Sequence, residues 1–173
     1  MENKEAKVLI ELIEKRKSVF PKDYTNQEIS DEVLDQLIKV GKLAPNHKRT
    51  KPWRYEVFKG EAKAKLGEEL QSIYKSITPE HQFLQKKYDD IGFKVSKAGA
   101  IISIVMEVSP LVPEWEEVAA VAMGVQNMYL LSTALGLGCY WSSPALVNRL
   151  VESLTITEDQ KCLGLFYVGN LIK

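Results

Sequence analysis

The sequence predicts one globular domain in which helices and strands share a core. Its 173 residues fit a single domain, residues 1–173, and no internal repeat or low-complexity linker divides them. Hydrophobic residues make up 45% and charged residues 27% of the chain, which is ordinary for a soluble globular protein. Segments with helical periodicity alternate with runs of β-branched residues, so both kinds of element are expected.

Amphipathic, charged or apolar patterns predict six helices and three strands. The predicted helices cover residues 5–17, 31–43, 61–77, 80–97, 118–135 and 145–154. Ser30 is expected to cap the second of them. The predicted strands cover residues 55–59, 100–108 and 162–168. Residues 136–144 are interpreted as a turn, because Gly136 and Gly138 punctuate them.

The long uncharged stretch from Val118 to Asn148 raises the question of a membrane span. Gly124 and Gln126 dilute its apolar character and flanking cationic anchors are missing, so we expect no transmembrane helix. The helix at 118–135 belongs instead at the centre of the core or against a second subunit. Small residues would permit close helix approach there, and from them we predict a homodimer. They are Ala119, Ala120, Ala122 and Gly124.

The overall charge and the cysteines exclude some classes of partner and compartment. Lys plus Arg equals Asp plus Glu at 23 each, so net charge gives no reason to expect a nucleic acid or membrane partner. From Glu2 onward acids and bases alternate without the apolar core of a secretory signal. Cys139 and Cys162 are too few and too far apart for a disulfide framework. We therefore expect a cytoplasmic protein.

The ten residues from Ala44 to Trp53 form a polar, cationic loop between a predicted helix and a predicted strand. Positions 46–51 hold three cations, one imidazole, one amide and one hydroxyl, with no carboxylate among them. Pro45 and Pro52 restrict the backbone at the two ends. The loop is either a solvated basic turn or a binding loop for an anion or a polar ring system. We favour binding, because Trp53 is costly to expose.

A second basic segment, Arg16-Lys17-Ser18, ends the first predicted helix. Its two cations could simply complement the negative end of the helix dipole, an effect of a few tenths of a kcal/mol up to about 1 kcal/mol. They could instead clamp a phosphate, with Arg16 as a forked donor and Ser18 as a short hydroxyl donor. The sequence leaves both interpretations open.

Several common chemistries lack their residues. His47, His81, Cys139 and Cys162 are scattered, so no metal site is predicted. Neither the nucleophile elbow of a hydrolase nor a P-loop is present. Gly136 and Gly138 close a predicted helix rather than follow a strand, which argues against a Rossmann dinucleotide site. The remaining cationic and hydroxyl-bearing segments could together surround a flat aromatic ligand that carries a phosphate.

Three segments in the same order resemble motifs of the FMN-dependent nitroreductase family. They are Arg16-Lys17-Ser18 after the first helix, Ala44-Pro45-Asn46-His47-Lys48 with Pro52-Trp53 downstream, and Gly136-Leu137-Gly138-Cys139-Tyr140-Trp141 after an apolar helix. The resemblance spans nearly the whole chain and is closest to short, single-domain NAD(P)H nitroreductase-like members. Three motifs in order are much more specific than any one of them.

The resemblance implies a homodimeric α+β fold with intertwined subunits, in which helices wrap a mostly antiparallel central sheet and two FMN sites lie between the subunits. Arg16, Lys17 and Ser18 would hold the FMN phosphate and ribityl chain. The loop with Pro45, Asn46, His47 and Arg49 would come from the other subunit, and Tyr140, Trp141 and Ser142 would line the opposite edge of the flavin. The helix through Val125 and Tyr129 would belong to the dimer core.

The resemblance also implies a function. NADH or NADPH would give hydride to FMN, and a nitroaromatic, quinone or similar acceptor would then take the electrons, by a ping-pong mechanism without a catalytic side chain. One alternative is a flavin-binding dimer that sequesters or senses the cofactor, with incidental reductase activity. Another is a structural protein without ligand.

The sequence departs from the family pattern at four positions. Phe20 stands where a lysine is common, and Lys51 stands where glutamine is frequent. Arg49 replaces a small polar residue near the substrate. The basic residues that longer members place after the last strand are reduced to Lys173, so Lys48 and Arg49 are candidates to compensate.

Overall fold

The computed structural model describes residues 3–172 and shows a four-stranded sheet with helices on both faces. The strands are β1 (Trp53–Phe58), β2 (Ala100–Glu107), β3 (Leu137–Ser142) and β4 (Gln160–Asn170). Their spatial order is β1-β2-β4-β3 and each neighbouring pair is antiparallel, so β1 and β3 lie at the edges. This confirms the α+β fold with a mostly antiparallel sheet. The intertwined homodimer stays a prediction.

Five α-helices surround the sheet. They are α1 (Lys4–Lys15), α2 (Asp31–Gly41), α3 (Gly60–Ile77), α4 (Gln85–Lys97) and α5 (Glu114–Ala134). Ser30 caps α2 as predicted, because its hydroxyl accepts a hydrogen bond from the backbone N–H of Val33. Among the helices of residues 3–172, none is both long enough and apolar enough to cross a membrane.

Apolar side chains fill a layer on each face of the sheet. On one face, α2 and α5 pack Leu34, Leu37, Val121 and Val125 against the sheet. On the other face, α3 and α4 contribute Leu66, Leu70, Tyr74 and Val95. β2 is buried along nearly its whole length and supplies side chains to both layers, as its unbroken apolar sequence predicts.

Gly124 shows what the small residues of α5 do. A Cβ atom at this position would lie 2.5 Å from the carbonyl oxygen of Gly41 and 2.7 Å from the hydroxyl of Tyr55. Close helix approach is thus confirmed, but the neighbour is α2 of the same chain. Using Gly124 as an argument for a homodimer was therefore wrong, because the close contact lies within one subunit.

The interpretation of residues 136–144 as a turn was wrong. Gly136, with φ of +69°, turns the chain after α5, but the residues that follow pair with β4 as strand β3. A Cβ atom at Gly138 would lie 2.4 Å from the ring of Tyr24, so this glycine allows close packing within a strand.

Two predicted helices are shorter than their patterns suggest. The segment predicted at 80–97 contains a short 3₁₀ helix, Glu80–Gln82, followed by α4. The segment predicted at 145–154 is helical only as the 3₁₀ helix Ala145–Arg149.

Candidate functional site

The basic segment Arg16-Lys17-Ser18 lies along the edge of the sheet that β3 forms. Arg16 is the residue that ends α1, and three residues later the backbone N–H of Val19 donates to the carbonyl oxygen of Cys139 at 2.9 Å. Because β3 is an edge strand, this bond places the segment Arg16–Phe20 on its outer side. The structure therefore brings Arg16, Lys17 and Ser18 to β3, which carries Tyr140, Trp141 and Ser142.

Tyr129 of α5 joins these two segments. Its hydroxyl accepts the backbone N–H of Trp141 at 2.8 Å and is hydrogen-bonded to the Ser18 hydroxyl at 3.2 Å. The guanidinium carbon of Arg16 lies 5.4 Å from the centre of the Tyr129 ring, within the range of a cation–π contact. Sequence reasoning assigned Tyr129 only to the dimer core. The available signal was a hydroxyl-bearing aromatic residue in an otherwise apolar helix.

The cations of this segment are free of acidic partners. Arg16 is half-buried and Lys17 is exposed, and neither forms an ion pair with a carboxylate of the described residues. The Arg16 guanidinium stacks over Tyr129 instead of bonding the last carbonyls of α1. The donor set therefore fits an anionic group better than it fits helix capping.

An aromatic pair borders the same region. The ring centres of Phe20 and Tyr140 lie 4.6 Å apart at an angle of 43°. Phe20 thus contributes an apolar surface at this edge. Behind it, burial raises the pKa of the Cys139 thiol to about 12, so this sulfur stays protonated at neutral pH and is a poor nucleophile.

The cationic loop is held in an unusual backbone conformation. Lys48, Arg49 and Lys51 all have positive φ values, of 48°, 56° and 52°, although none is a glycine. The side-chain oxygen of Asn46 accepts the backbone N–H of Lys51 at 3.0 Å, which closes the loop on itself. Trp53, predicted to avoid exposure, is buried.

The first turn of α5 supplies carboxylates to this loop. Nδ1 of His47 lies 2.6 Å from a carboxylate oxygen of Glu116, and the hydroxyl of Thr50 donates to Glu117 at 2.8 Å. The Lys48 ammonium donates to the carbonyl oxygen of Leu111 at 3.1 Å. Residues 46–51 contain no carboxylate of their own, but in the fold Glu116 and Glu117 of α5 face the loop.

A shallow groove of about 280 Å³ lies beside the loop. Pro45, Asn46 and His47 form one wall, and Trp115 and Met123 of α5 form the other. Trp115 is 68% exposed, which is high for so large an apolar side chain. The groove therefore offers an aromatic and apolar surface next to polar groups, which suits a flat ring system.

The two groups of predicted residues occupy different parts of α5. The loop contacts Glu116, whereas Arg16 and Ser18 contact Tyr129, 13 positions later. At 1.5 Å per residue these positions are about 20 Å apart along the helix. Within one chain, then, Arg16–Ser18 meets β3 but does not meet the cationic loop.

A larger groove contains none of the predicted residues. It has a volume of about 560 Å³ and lies between α3, β1 and residues 152–153. Its wall includes Glu69, which sequence reasoning missed because its partners lie far along the chain.

The role of Lys173 in phosphate binding stays a prediction, because this residue lies outside the described part of the chain.

Comparisons with known proteins agree with this architecture. The model of the nitroreductase family matches residues 13–170. The Escherichia coli protein named "Putative NAD(P)H nitroreductase YdjA" is 28% identical over 143 residues, which cover 80% of this chain and 76% of that protein. The nitroreductase-like family protein from Bacillus cereus is 26% identical, with a TM-score of 0.76 over 95% of this chain and 86% of that one.

A more distant solved structure shares the fold. The FMN-dependent nitroreductase NfnB from Mycobacterium smegmatis, determined in complex with NADPH, is 18% identical, with a TM-score of 0.74 over 96% of this chain and 88% of that one. The predicted resemblance is confirmed by the match to nearly the whole sequence. The chain therefore belongs to the nitroreductase family.

Proposed function

We propose that two copies of this chain bind FMN between them and act as an NAD(P)H-dependent oxidoreductase. The observation that carries the proposal is the meeting of Arg16 and Ser18 with Trp141 around Tyr129. Family membership supports the same conclusion, as does the shared fold of NfnB, an FMN-dependent nitroreductase determined in complex with NADPH. Both cysteines are free and buried, which supports a reducing, cytoplasmic location.

The residues present fit the phosphate end of FMN. Arg16 offers a forked pair of N–H donors, Lys17 a point charge and Ser18 a hydroxyl, and no described carboxylate competes for either cation. Hydrogen bonds from a cation to a phosphate are stronger than neutral ones. We therefore assign phosphate binding to Arg16, Lys17 and Ser18, and an edge of the flavin ring to Tyr140, Trp141 and Ser142.

The second half of each site is proposed to come from the partner copy. In one chain, the loop with Pro45, Asn46, His47 and Arg49 lies about 20 Å along α5 from Tyr129, too far to share one flavin ring. Apolar side chains on α1 and α5 are exposed in the single chain, which supports a second copy covering them. They are Val8, Leu9, Ile10, Ile13, Trp115, Val118 and Met123.

The proposed chemistry asks little of the side chains. FMN, when bound, supplies the two-electron carrier between NAD(P)H and a nitroaromatic, quinone or similar acceptor. The protein's part is to anchor the phosphate through Arg16 and Lys17 and to present the aromatic groove by Trp115. A single open groove would receive the nicotinamide and the acceptor in turn, which is the basis for the proposed ping-pong order. We assign no catalytic residue.

Replacement of Arg16 tests the phosphate site. Hydrogen bonds to charged groups contribute about 1.5–3 kcal/mol, so Arg16→Ala should raise the Kd for FMN about 10- to 100-fold, measured by flavin fluorescence quenching. Lys87→Ala is the matched control, because the Lys87 ammonium also lies over a tyrosine ring, that of Tyr74, at 5.0 Å but away from the site. Equal losses in both variants would overturn the assignment.

Turnover tests the reaction itself. The purified protein should be yellow or take up added FMN, and NADPH or NADH should bleach its visible absorbance under anaerobic conditions. Initial rates at several acceptor concentrations should give parallel double-reciprocal lines, as a ping-pong mechanism requires. A protein that takes up no FMN would overturn the proposal, and slow reduction without reoxidation would replace catalysis by flavin sequestration or sensing.

A further inference from the structure

We propose that Tyr129 is a positioning residue, whose hydroxyl fixes Ser18 relative to Trp141 and leaves the Ser18 O–H free to donate to the FMN phosphate. This inference rests on the proposed FMN site. Tyr129 is 8% exposed, and its hydroxyl contacts both Ser18 of the basic segment and Trp141 of β3. Its role therefore extends beyond packing in the core.

The direction of the hydrogen bonds follows from the donors available. The backbone N–H of Trp141 can only donate, so the Tyr129 oxygen is its acceptor at 2.8 Å. Among the described residues the Tyr129 hydroxyl has no other acceptor for its own proton than the Ser18 oxygen, 3.2 Å away, so we assign the proton to that bond. With its oxygen accepting from Tyr129, Ser18 keeps its own proton for a further acceptor. An anionic phosphate oxygen is such an acceptor.

The Tyr129 side chain is itself held on several sides. Its ring meets the ring of Phe166 edge to face, with centres 5.1 Å apart and an angle of 85°. Its hydroxyl oxygen is held by the backbone N–H of Trp141 at 2.8 Å. A group fixed in this way can impose a position on a less constrained neighbour.

The neighbouring segment is anchored at Val19, whose N–H donates to Cys139 at 2.9 Å and whose carbonyl oxygen accepts the Tyr24 hydroxyl at 2.6 Å. Among the described residues, the Ser18 hydroxyl is hydrogen-bonded to Tyr129 alone. α1 contains no buried residue, so its packing does little to fix Arg16 at its end. Arg16 lies over the Tyr129 ring and Ser18 bonds the Tyr129 hydroxyl. The two parts of the Tyr129 side chain thus have different roles. The ring positions the guanidinium of Arg16, and the hydroxyl positions Ser18. Phenylalanine at this position would keep the first function and remove the second.

The test compares FMN with riboflavin, which has the same ring system but no phosphate. Tyr129→Phe should raise the Kd for FMN about tenfold, the factor expected for one hydrogen bond, and change the Kd for riboflavin less than about twofold. Fluorescence quenching of each flavin gives both constants. Equal changes for FMN and riboflavin would overturn the inference, because a general structural effect does not distinguish the two ligands.

Tyr74→Phe is the matched control. The Tyr74 hydroxyl also accepts a backbone N–H, that of Leu84 at 3.0 Å, in a buried residue of the other core layer. The control should leave both flavin constants unchanged. An FMN-selective loss in Tyr74→Phe equal to that in Tyr129→Phe would overturn the inference.

A double-mutant cycle with Ser18→Ala isolates the coupling. Ser18 is exposed, so this variant keeps the core intact and should show the same loss of preference for FMN over riboflavin. In the Ser18→Ala background, Tyr129→Phe should add less than about a twofold change. A full tenfold effect in that background would overturn the inference. Failure of the wild-type protein to bind FMN would instead overturn the proposed function on which it rests.

Discussion

Glu69 of α3 fixes the backbone that follows the 3₁₀ helix Ala145–Arg149. One of its carboxylate oxygens accepts the N–H groups of Val151 at 2.8 Å and Glu152 at 2.9 Å, and the other accepts the N–H of Ser153 at 2.8 Å. Glu69 is only 8% exposed. Three consecutive backbone donors therefore depend on one carboxylate.

The cost of replacing Glu69 follows from this geometry. Glu69→Gln keeps one oxygen, which can still accept from Val151 and Glu152, but turns an amide NH₂ toward the N–H of Ser153. One charge-assisted bond is lost, and a donor is left facing a donor, each effect being in the range of about 1–3 kcal/mol. We expect the free energy of unfolding to fall by at least about 2 kcal/mol, and by more in Glu69→Ala, which loses all three bonds.

The pH dependence gives an independent check. Burial by itself would raise the pKa of Glu69, but the hydrogen bonds from Glu152, Ser153 and Val151 outweigh burial, and the pKa lies below its ordinary value. Such a carboxylate contributes stability that is present above the unfolded pKa of about 4.3 and is lost as the pH falls through the folded pKa. The stability gap between wild type and Glu69→Gln should therefore shrink as the pH drops below about 4.3.

Urea unfolding followed by circular dichroism, at one fixed protein concentration, measures these differences. The control is Glu68→Gln, which removes the same charge from an exposed neighbour and should change stability by less than about 0.5 kcal/mol. Equal destabilisation of the two variants would refute the reasoning. So would a gap between wild type and Glu69→Gln that persists unchanged at low pH.

Two further predictions concern packing and assembly. Gly124→Leu should destabilise the fold by about 3 kcal/mol, because the Gly41 carbonyl blocks the new side chain. Gln126→Leu, on the exposed side of α5, should not destabilise it. Urea unfolding measures both variants, and a Gly124→Leu protein of wild-type stability would contradict the prediction. Leu9→Glu, on α1 where Leu9 is 51% exposed, should shift the protein toward monomer in sedimentation velocity, with Lys7→Glu as the control. A variant that stays fully dimeric would remove α1 from the proposed interface.

Local patterns were sufficient for much of the fold. The apolar run of β2 and the Ser30 cap of α2 were both predicted, because each depends on neighbouring residues in the sequence. β3 was missed for the opposite reason. Gly138 pairs with β4, and it is a glycine because the Tyr24 ring, from a residue far away in the sequence, occupies the space of a Cβ atom. A glycine required by a distant neighbour cannot be distinguished locally from one required by a turn.

The candidate site shows the same division. The motif containing Arg16 and the motif containing Trp141 can be recognised by their residues, but their meeting depends on tertiary contacts, the bond from Val19 to Cys139 and the bonds of the Tyr129 hydroxyl. Likewise, the acids that face the cationic loop come from Glu116 and Glu117, at the start of a helix that begins far from the loop in sequence. Motifs identify the parts of a site, whereas tertiary contacts determine how they are joined.

The covered edge of β3 also bears on self-association. Exposed sheet edges offer open backbone groups on which another chain can add a strand and start a fibril. Here Val19 bonds the outward carbonyl of Cys139, and Tyr129 bonds the outward N–H of Trp141. The contacts that shape the proposed ligand site thus also cover the edge of the sheet on which another strand could add. Loss of the Tyr129 hydroxyl would leave the backbone N–H of Trp141 open to another chain. Protection against fibrils and retention of the proposed cofactor would therefore depend on the same oxygen atom.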